Sequence, residues 1–413
     1  MPTHEVRYRY RLRVGLTEAL ALHDVYDSCR TVWNRALGDW GDRWRAEHHT
    51  VGYPEASKAL TARRGELDWL GAQPQNPQEQ VLRDLYRAVS GFFDKKNPAG
   101  RPRFKARKRG YATARWTKNG FGVSGSGQGV SGDRLQVATA SGRLPLRVVW
   151  SRPLPSVPTS VTVYRDRAGR WFASFVVRVE VPEAPVDPTG RSTGLDMGLS
   201  VFATTTDPAT DVENPRFARA QAKALARSQR NMARKKAGSK NRAKARRRAA
   251  RLAARVADQR SDFHHKAARG LVATYDRIGI EDLATKHMAR RGKGRYKAGL
   301  NRSIADAGWR QFREVLCWQA TKEGKTVVVR PARNTTQRCS RCGAKAKPRM
   351  ELSDRVYRCR ACGLVIARDR NSAWNLDPDR IGAPVGGSEP TGAAAPVGDD
   401  GKKPKVPAGT LAA

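Results

Sequence analysis

Two Cys-x-x-Cys pairs, Cys339–Cys342 and Cys359–Cys362, stand sixteen residues apart, and they constrain what this sequence can fold into more than any other feature. A glycine follows each pair, Gly343 and Gly363, and supplies the backbone freedom that a tight knuckle around a metal needs. Four thiolates at this spacing complete a tetrahedral shell and leave no open position for a substrate. They predict one structural Zn2+ held in a ribbon over residues 333–368. A pair of disulfides is the alternative use of the same cysteines, and it requires an oxidising compartment. Asp369 follows the last cysteine by seven positions. A metal knuckle built directly against a carboxylate is what the remaining sequence has to account for.

Charge narrows the partner. The 413 residues carry 79 Lys+Arg against 38 Asp+Glu, a formal charge of +41, and an excess of that size predicts a polyanion. Anionic lipid is bound through short polybasic patches, whereas here the charge runs through the chain, so nucleic acid is the expected ligand. Hydrophobic residues make up 39% and tryptophans number ten, enough for more than one packed domain. No window approaches the roughly 18 consecutive apolar residues of a membrane span, and the start MPTHEVRYRYRLRV has no apolar leader core. The protein is therefore expected in the cytoplasm, associated with the nucleoid and without a membrane partner. There Cys29 and Cys317, alone in helical patterns, read as small buried hydrophobes.

Near the N-terminus Val6, Tyr8, Tyr10, Leu12 and Val14 alternate with Arg7, Arg9, Arg11 and Arg13, a period of two that predicts a strand with one buried face and one arginine face. Such a face is either a charged edge that resists aggregation or a phosphate contact, and four arginines with no acid favour the contact. Thr17 is placed to cap a helix whose apolar positions run Leu22, Val25, Cys29, Val32, Ala36 and Trp40. A second helix with Leu82, Leu85, Val89 and Phe92 leads into KKNPAGRPRFKARKRGY. There Arg101, Arg103, Lys105, Arg107 and Lys108, interleaved with Phe104 and Tyr111, have the composition of a loop that follows a sugar-phosphate backbone. From Gly120 to about Pro182 the pattern is β. Residues 1–190 are read as a small β-barrel-like domain with a helical insertion.

The next stretch, RSTGLDMGLSVFATTTD, is an apolar strand interrupted by Asp196, and a lone acid in such a strand is costly unless a cation pairs with it. Residues 216–260 then hold seventeen Lys/Arg and one Asp. Arg216, Arg219, Lys223, Arg227, Arg230 and Arg234 recur at three- and four-residue steps, which assigns them to one helix face for nucleic-acid contact. RIGIEDLATKHM ends a β-branched strand at Glu281. Asp196, Glu281 and Asp369 together can hold two hard cations with oxygen ligands, the pairing that activates water and stabilises the leaving oxygen of a phosphodiester. Taken alone, Asp369 is equally a helix cap. Gly324-Lys325-Thr326 imitates the end of a phosphate loop, but the first glycine of that motif would fall at Gln319. His264 and His265 have no matching ligand cluster. After Leu376 the chain is Gly, Pro and Ala rich, which predicts a disordered tail over residues 377–413.

The segments GLDMGLSVFAT, GIEDLATKHM, GLNRSIADAGWRQF, NTTQRCSRCG with CRACG, and RDRNSAWNL stand in this order and at these intervals. In them the chain resembles the TnpB or OrfB family, RNA-guided DNA endonucleases encoded by bacterial insertion sequences, and equally the miniature type V CRISPR effectors descended from it. The resemblance implies an α+β multidomain fold. A wedge-like N-terminal β-barrel with a helical insertion would precede an RNase H-like RuvC α/β nuclease domain over 191–376, which carries a helical insertion (216–260) and the zinc ribbon. It implies Asp196, Glu281 and Asp369 as catalytic acids with two Mg2+. It also implies a guide RNA pairing with target double-stranded DNA next to a short DNA motif, with a monomer expected over a dimer. The family often carries a histidine and an alanine where this chain has Ala367 and Ser372. A nuclease-inactive binder on the same scaffold is the second reading, and the complete acid set favours cleavage.

Nucleic-acid affinity is expected to fall by roughly a thousandfold between about 50 and 200 mM salt, the loss for some six neutralised phosphates. A salt-independent affinity in a filter-binding titration would contradict the charge reading.

Overall fold

In the computed structural model the described residues are 2–48, 52–95, 99–106, 112–123, 134–289, 295–332, 334–351, 353–380 and 411–412. The chain divides into two units, one of residues 4–179 with 410–413 and the other of residues 1–3 with 180–409.

The first unit opens on the alternating strand. β1 (Thr3–Arg13) buries Val6, Tyr10 and Leu12 and exposes Arg7, Arg11 and Arg13, as a period of two dictates. Four helices follow, α1 (Leu16–Glu47), α2 (Tyr53–Glu66), α3 (Asp68–Gly71) and α4 (Gln75–Phe93). α1 begins before Thr17, on Gly15 with no side-chain cap, so Thr17 lies inside the first turn. Strands β2 (Thr113–Thr117), β3 (Phe121–Val123), β4 (Arg134–Thr139), β5 (Gly142–Val149), β6 (Ser160–Arg165) and β7 (Trp171–Glu180) join β1 in the order β2-β6-β7-β1-β5-β4-β3. The two ends of this path, β2 and β3, are connected by one 3-10 turn at Lys118–Gly120. Tyr10 packs against Trp150 and Phe175 with ring centroids 4.7 and 5.8 Å away. The Tyr26 hydroxyl of α1 donates to the Val163 carbonyl at 3.0 Å, fastening the helix to the sheet.

In the second unit β8 (Ser192–Met197), β9 (Val201–Thr204) and β10 (Val212–Glu213) pair antiparallel in sequence, β8 with β9 and β9 with β10. The basic helices α5 (Phe217–Ala233) and α6 (Lys240–Thr274) come next, then β11 (Arg277–Asp282), α7 (Thr285–Met288), α8 (Arg295–Ala307), α9 (Trp309–Lys322) and β12 (Thr326–Pro331). The sheet order is β10-β9-β8-β11-β12, with β8, β11 and β12 parallel. Leu195, Phe202, Ile278, Ile280, Phe312 and Leu316 build its core. His264 belongs to that core, packed near Phe202 and Phe312 with Nε2 2.9 Å from the Ala307 carbonyl. Burial pushes its pKa down to about 4, so it is a neutral packing residue. Lys325 is equally structural: it sits 3.1 Å from Asp276 in a buried ion pair and donates to the Val272 carbonyl at 2.8 Å.

The chain then forms the hairpin β13 (Val356–Arg358) and β14 (Val365–Ala367) and runs without a break into α10 (Arg368–Leu376). α10 lies on β8 and β11, where Gly194 and Gly279 are register partners. A Cβ at Gly194 would stand 2.0 Å from the Ala373 carbonyl oxygen, and one at Gly279 would stand 1.8 Å from that of Leu376. The missing side chains are what let the helix approach the sheet so closely.

Residues 377–380, assigned by composition to the tail, are held instead. Ser192 donates to Asp377 at 2.6 Å, and Arg277 forms a two-point ion pair with Asp379. Of the remaining tail only β15 (Leu411–Ala412) is described, paired parallel with β1; residues 381–410 lie outside the described residues.

Gly279→Ala is expected to destabilise the protein by about 3 kcal/mol or more, the upper end of overpacking costs, because the obstructing atom is backbone. Gly270→Ala, where nothing lies within 4 Å of the added carbon, is expected to gain up to about 1 kcal/mol from helix propensity alone. Urea midpoints at unchanged m-value measure both, and equal stability of the two variants would contradict the packing described.

Candidate active site and metal centre

The two knuckles of the ribbon are built alike. The Cys339 amide donates to the Ala344 carbonyl at 2.8 Å and that of Gly343 to the Cys339 carbonyl at 2.9 Å. Cys359, Leu364 and Gly363 repeat the pattern at 2.8 and 3.0 Å. Gly343 and Gly363 have φ of 74° and 71°, the left-handed conformation that closes each turn. The Sγ atoms of Cys339 and Cys362 are 3.6 Å apart, those of Cys342 and Cys359 3.5 Å, and all four lie within 4.8 Å of one another. A tetrahedral Zn2+ with bonds of about 2.3 Å sets its sulfurs about 3.8 Å apart, so the quartet fits zinc. Burial raises the Cys359 thiol, but the Cys362 and Ala361 amides and neighbouring thiols outweigh it and bring it down to about 7. Burial pushes the Cys339 thiol up to about 12, so zinc binding at the quartet would release protons.

The acids come together on the sheet. Ile280 pairs with Leu195, so the next step along the parallel strands sets Glu281 beside Asp196. Alternation puts both on the face that carries Gly194 and Gly279 two residues earlier. α10 lies on that same face. Its Leu376 end rests at the glycines, and Asp369 stands seven residues, or about 10 Å, up the helix, over the carboxyl ends of the strands. Asp196 is partly exposed, Glu281 is 8% exposed, and the Asp369 side chain is about a third exposed. Burial raises the Asp196 pKa well above its ordinary value, and the Glu281 and Asp369 carboxylates raise it further while Arg368 opposes them. Burial also raises Glu281, against a hydrogen bond from the Thr335 hydroxyl.

Asp369 does not cap its helix. Ala367 holds the cap position without a side-chain bond, and Asp369 lies in the first turn. Its Oδ1 accepts from Arg368 Nε at 3.1 Å. With the Glu281 and Asp369 carboxylates raising the proton affinity of Asp196, the site is short of positive charge, and an all-oxygen donor set suits Mg2+ or Mn2+. Among the described residues the cysteines alone gather their ligand atoms within 4.8 Å; the three carboxylates form a looser group.

Several residues that build the site carry no motif of their own. Arg370 grips the Asp211 carboxylate with two bonds of 2.9 and 2.7 Å and donates to the Thr205 carbonyl, pinning α10 near β9 and β10. The fully buried Asn371 accepts from the Ser340 amide at 2.9 Å and donates to the Arg338 carbonyl at 2.7 Å. Asn375 donates to the Thr335 and Arg338 carbonyls, each at 2.8 Å. The one sequence signal for the last pair was two asparagines four apart on one helix.

The basic residues divide more unevenly than their spacing suggests. Arg219, Lys223, Arg227 and Arg230 are exposed on α5, which has no buried residue, whereas Arg216 and Arg234 are its cap residues rather than part of its face. Arg216 donates to the Leu199 carbonyl at 3.3 Å. On β1 the Arg9 and Arg11 guanidinium carbons lie 5.0 and 5.1 Å from the Phe172 ring centroid. Arg101 and Arg103 are exposed. Lys105 instead sets its ammonium 3.4 Å from the Trp33 ring centroid, and burial lowers its pKa to about 8. Arg107 and Lys108 lie outside the described residues.

Cys359→Ser is expected to bring bound zinc, measured by atomic absorption, well below one per chain and to lower the soluble yield. Full zinc occupancy would contradict the ribbon. Asp196 and Glu281 hold protons more tightly folded than unfolded, so without cations at the acids they make the protein less stable as pH rises from about 4, the unfolded carboxylate range, through their folded values. Asp196→Asn is therefore expected to melt above the parent at pH 7.5, in zinc-loaded protein without added Mg2+ or Mn2+, and level with it near pH 3.5. A variant that melts below the parent at pH 7.5 would contradict the clustering.

No helix among the described residues is long and apolar enough to cross a membrane. Residues 174–292 match the OrfB_IS605 family, described as a probable transposase, and residues 309–376 match the Cas12f1-like TNB domain. The chain is similar to a Streptomyces pristinaespiralis protein described as a candidate RNA-guided DNA endonuclease, at 34% identity over 89% of this chain and 88% of that one. It is similar to InsQ of Escherichia coli K12, described in the same terms, at 33% identity over 89% and 90%. A solved Cas12f1–sgRNA–target DNA complex aligns over 92% of this chain and 100% of that one at 12% identity, with a TM-score of 0.33. Identity of one residue in three along nearly the full length of both relatives places this chain in the OrfB/TnpB family.

Proposed function

We propose that this protein is an RNA-guided DNA endonuclease that hydrolyses phosphodiester bonds at a RuvC-type site. The observation that carries the reading is the convergence of Asp196, Glu281 and Asp369 on one face of the second unit's sheet. Its relatives, described as candidate RNA-guided DNA endonucleases, support the same activity here. In this reading residues 191–376 are an RNase H-like nuclease domain, and antiparallel strands on one side of β8 with parallel strands on the other support it. Residues 1–190 are a barrel with a helical insertion that grips guide RNA and target DNA. The short link between the two ends of its strand path supports closure.

Asp196, Glu281 and Asp369 would hold two Mg2+, which supply an activated water on one side of the scissile phosphate and charge stabilisation for the leaving oxygen on the other. The chain's own residues supply the geometry. Thr335 fixes the Glu281 carboxylate, Arg368 fixes that of Asp369, and the paired strands fix Asp196 against Glu281. The exposed basic row of α5 offers charge to a polyanionic backbone without reading its bases. Guide pairing then supplies sequence choice.

Asp196→Ala is expected to reduce cleavage of a guide-matched duplex to background while changing guide-dependent binding less than about twofold. Cleavage that persists in the purified variant would overturn the assignment.

A further inference from the structure

The zinc ribbon and the acid cluster are joined by an unbroken run of hydrogen bonds. Ser340 stands between Cys339 and Cys342 in the first knuckle, and its amide donates to Asn371 of α10. Asn371 and Asn375 both donate to the Arg338 carbonyl, one residue before the first zinc ligand. Asn375 also donates to the Thr335 carbonyl, and the Thr335 hydroxyl donates to Oε1 of Glu281. Asn334, at φ 68°, holds the left-handed conformation that leads the chain into Thr335, a conformation that asparagine tolerates better than most side chains. The run therefore begins beside a zinc ligand and ends on a catalytic carboxylate, and it passes through the helix that carries a second one.

We infer that Thr335 is a positioning residue for Glu281, and that Asn371 and Asn375 couple zinc in the ribbon to divalent-cation binding at the acid cluster. The inference rests on the nuclease reading of those acids. Thr335 touches no reacting atom. Its hydroxyl holds Oε1 of Glu281 and so limits how that carboxylate can turn, while its own carbonyl is held by Asn375. When the ribbon closes on zinc, Arg338 and Ser340 are fixed, α10 is fixed through its asparagines, and Glu281 and Asp369 are presented together. Linkage is reciprocal, so cations at the acids must slow the loss of zinc from the ribbon by the same coupling.

The test uses the full-length, zinc-loaded protein with Mn2+ as probe, its binding followed by calorimetry and zinc release followed with a chromogenic chelator. Thr335→Val is expected to weaken Mn2+ binding by about 10-fold or more, the usual effect of removing an outer partner of a ligand, at unchanged zinc content. Thr335→Ser is expected to restore it. In the parent, Mn2+ is expected to slow zinc release; in Asn375→Ala, which alters no cysteine, zinc release should be faster and indifferent to Mn2+. Parental Mn2+ affinity in both Thr335→Val and Asn375→Ala, or zinc release that ignores Mn2+ in the parent, overturns the coupling. Asp196→Asn separates the two layers. If it abolishes Mn2+ binding while Thr335→Val does not weaken it, the coupling fails and the acid site stands; if Mn2+ binding survives Asp196→Asn, the acid site itself falls.

Discussion

The negative charge that Glu281 and Asp369 bring against Asp196 is the constraint on which the second unit depends. Burial raises both Asp196 and Glu281, and Asp196 also faces the Glu281 and Asp369 carboxylates, an arrangement that costs free energy unless positive charge arrives. Nothing in the fold removes that cost. Arg368 and Thr335 moderate it, and the rest of the structure resists it: two bonds from Arg370 to Asp211, the Gly194–Gly279 floor beneath α10, and the buried Asn371 binding the helix to the ribbon. A site that is unfavourable when empty and rigidly held is what tight binding of a hard cation calls for.

The same view accounts for a zinc knuckle built against a carboxylate. α10 has nine residues, too few to be stable alone, and its first turn carries no capping side chain. Its position comes from what flanks it. β14 runs straight into its first residue, the first knuckle bonds Asn371, and the sheet accepts its far end at two glycines. The ribbon's own core is small, built around Tyr357 with Leu364 and Ile366, so a metal among its four cysteines would add order that reaches Asp369 within seven residues.

Much of this was legible in the sequence, and the reasons are local. The cysteine spacing encodes its own geometry, the alternation in β1 encodes a two-faced strand, and Asp196 and Glu281 announce themselves as acids in apolar strands. What spacing could not convey were contacts between distant segments. Helical periodicity counted Arg216 and Arg234 with the α5 row because it is blind to where a helix begins; both are cap residues. Lys105 sits in a run that reads as following a sugar-phosphate backbone, yet Trp33, seventy-two positions earlier, takes its ammonium. Gly194 and Gly279 carry no signal in the sequence of the helix that rests on them. Thr335, Asn371 and Asn375 are polar side chains of ordinary type, and only their partners give them a role.

Anomalous scattering from crystals of the zinc-loaded protein soaked in Mn2+ tests the acid cluster most directly. Two manganese peaks about 3.5–4 Å apart, bounded by the carboxylates of Asp196, Glu281 and Asp369 and distinct from a zinc peak among the four cysteines, are the predicted result. A zinc peak in the ribbon with no manganese between those three carboxylates would contradict it.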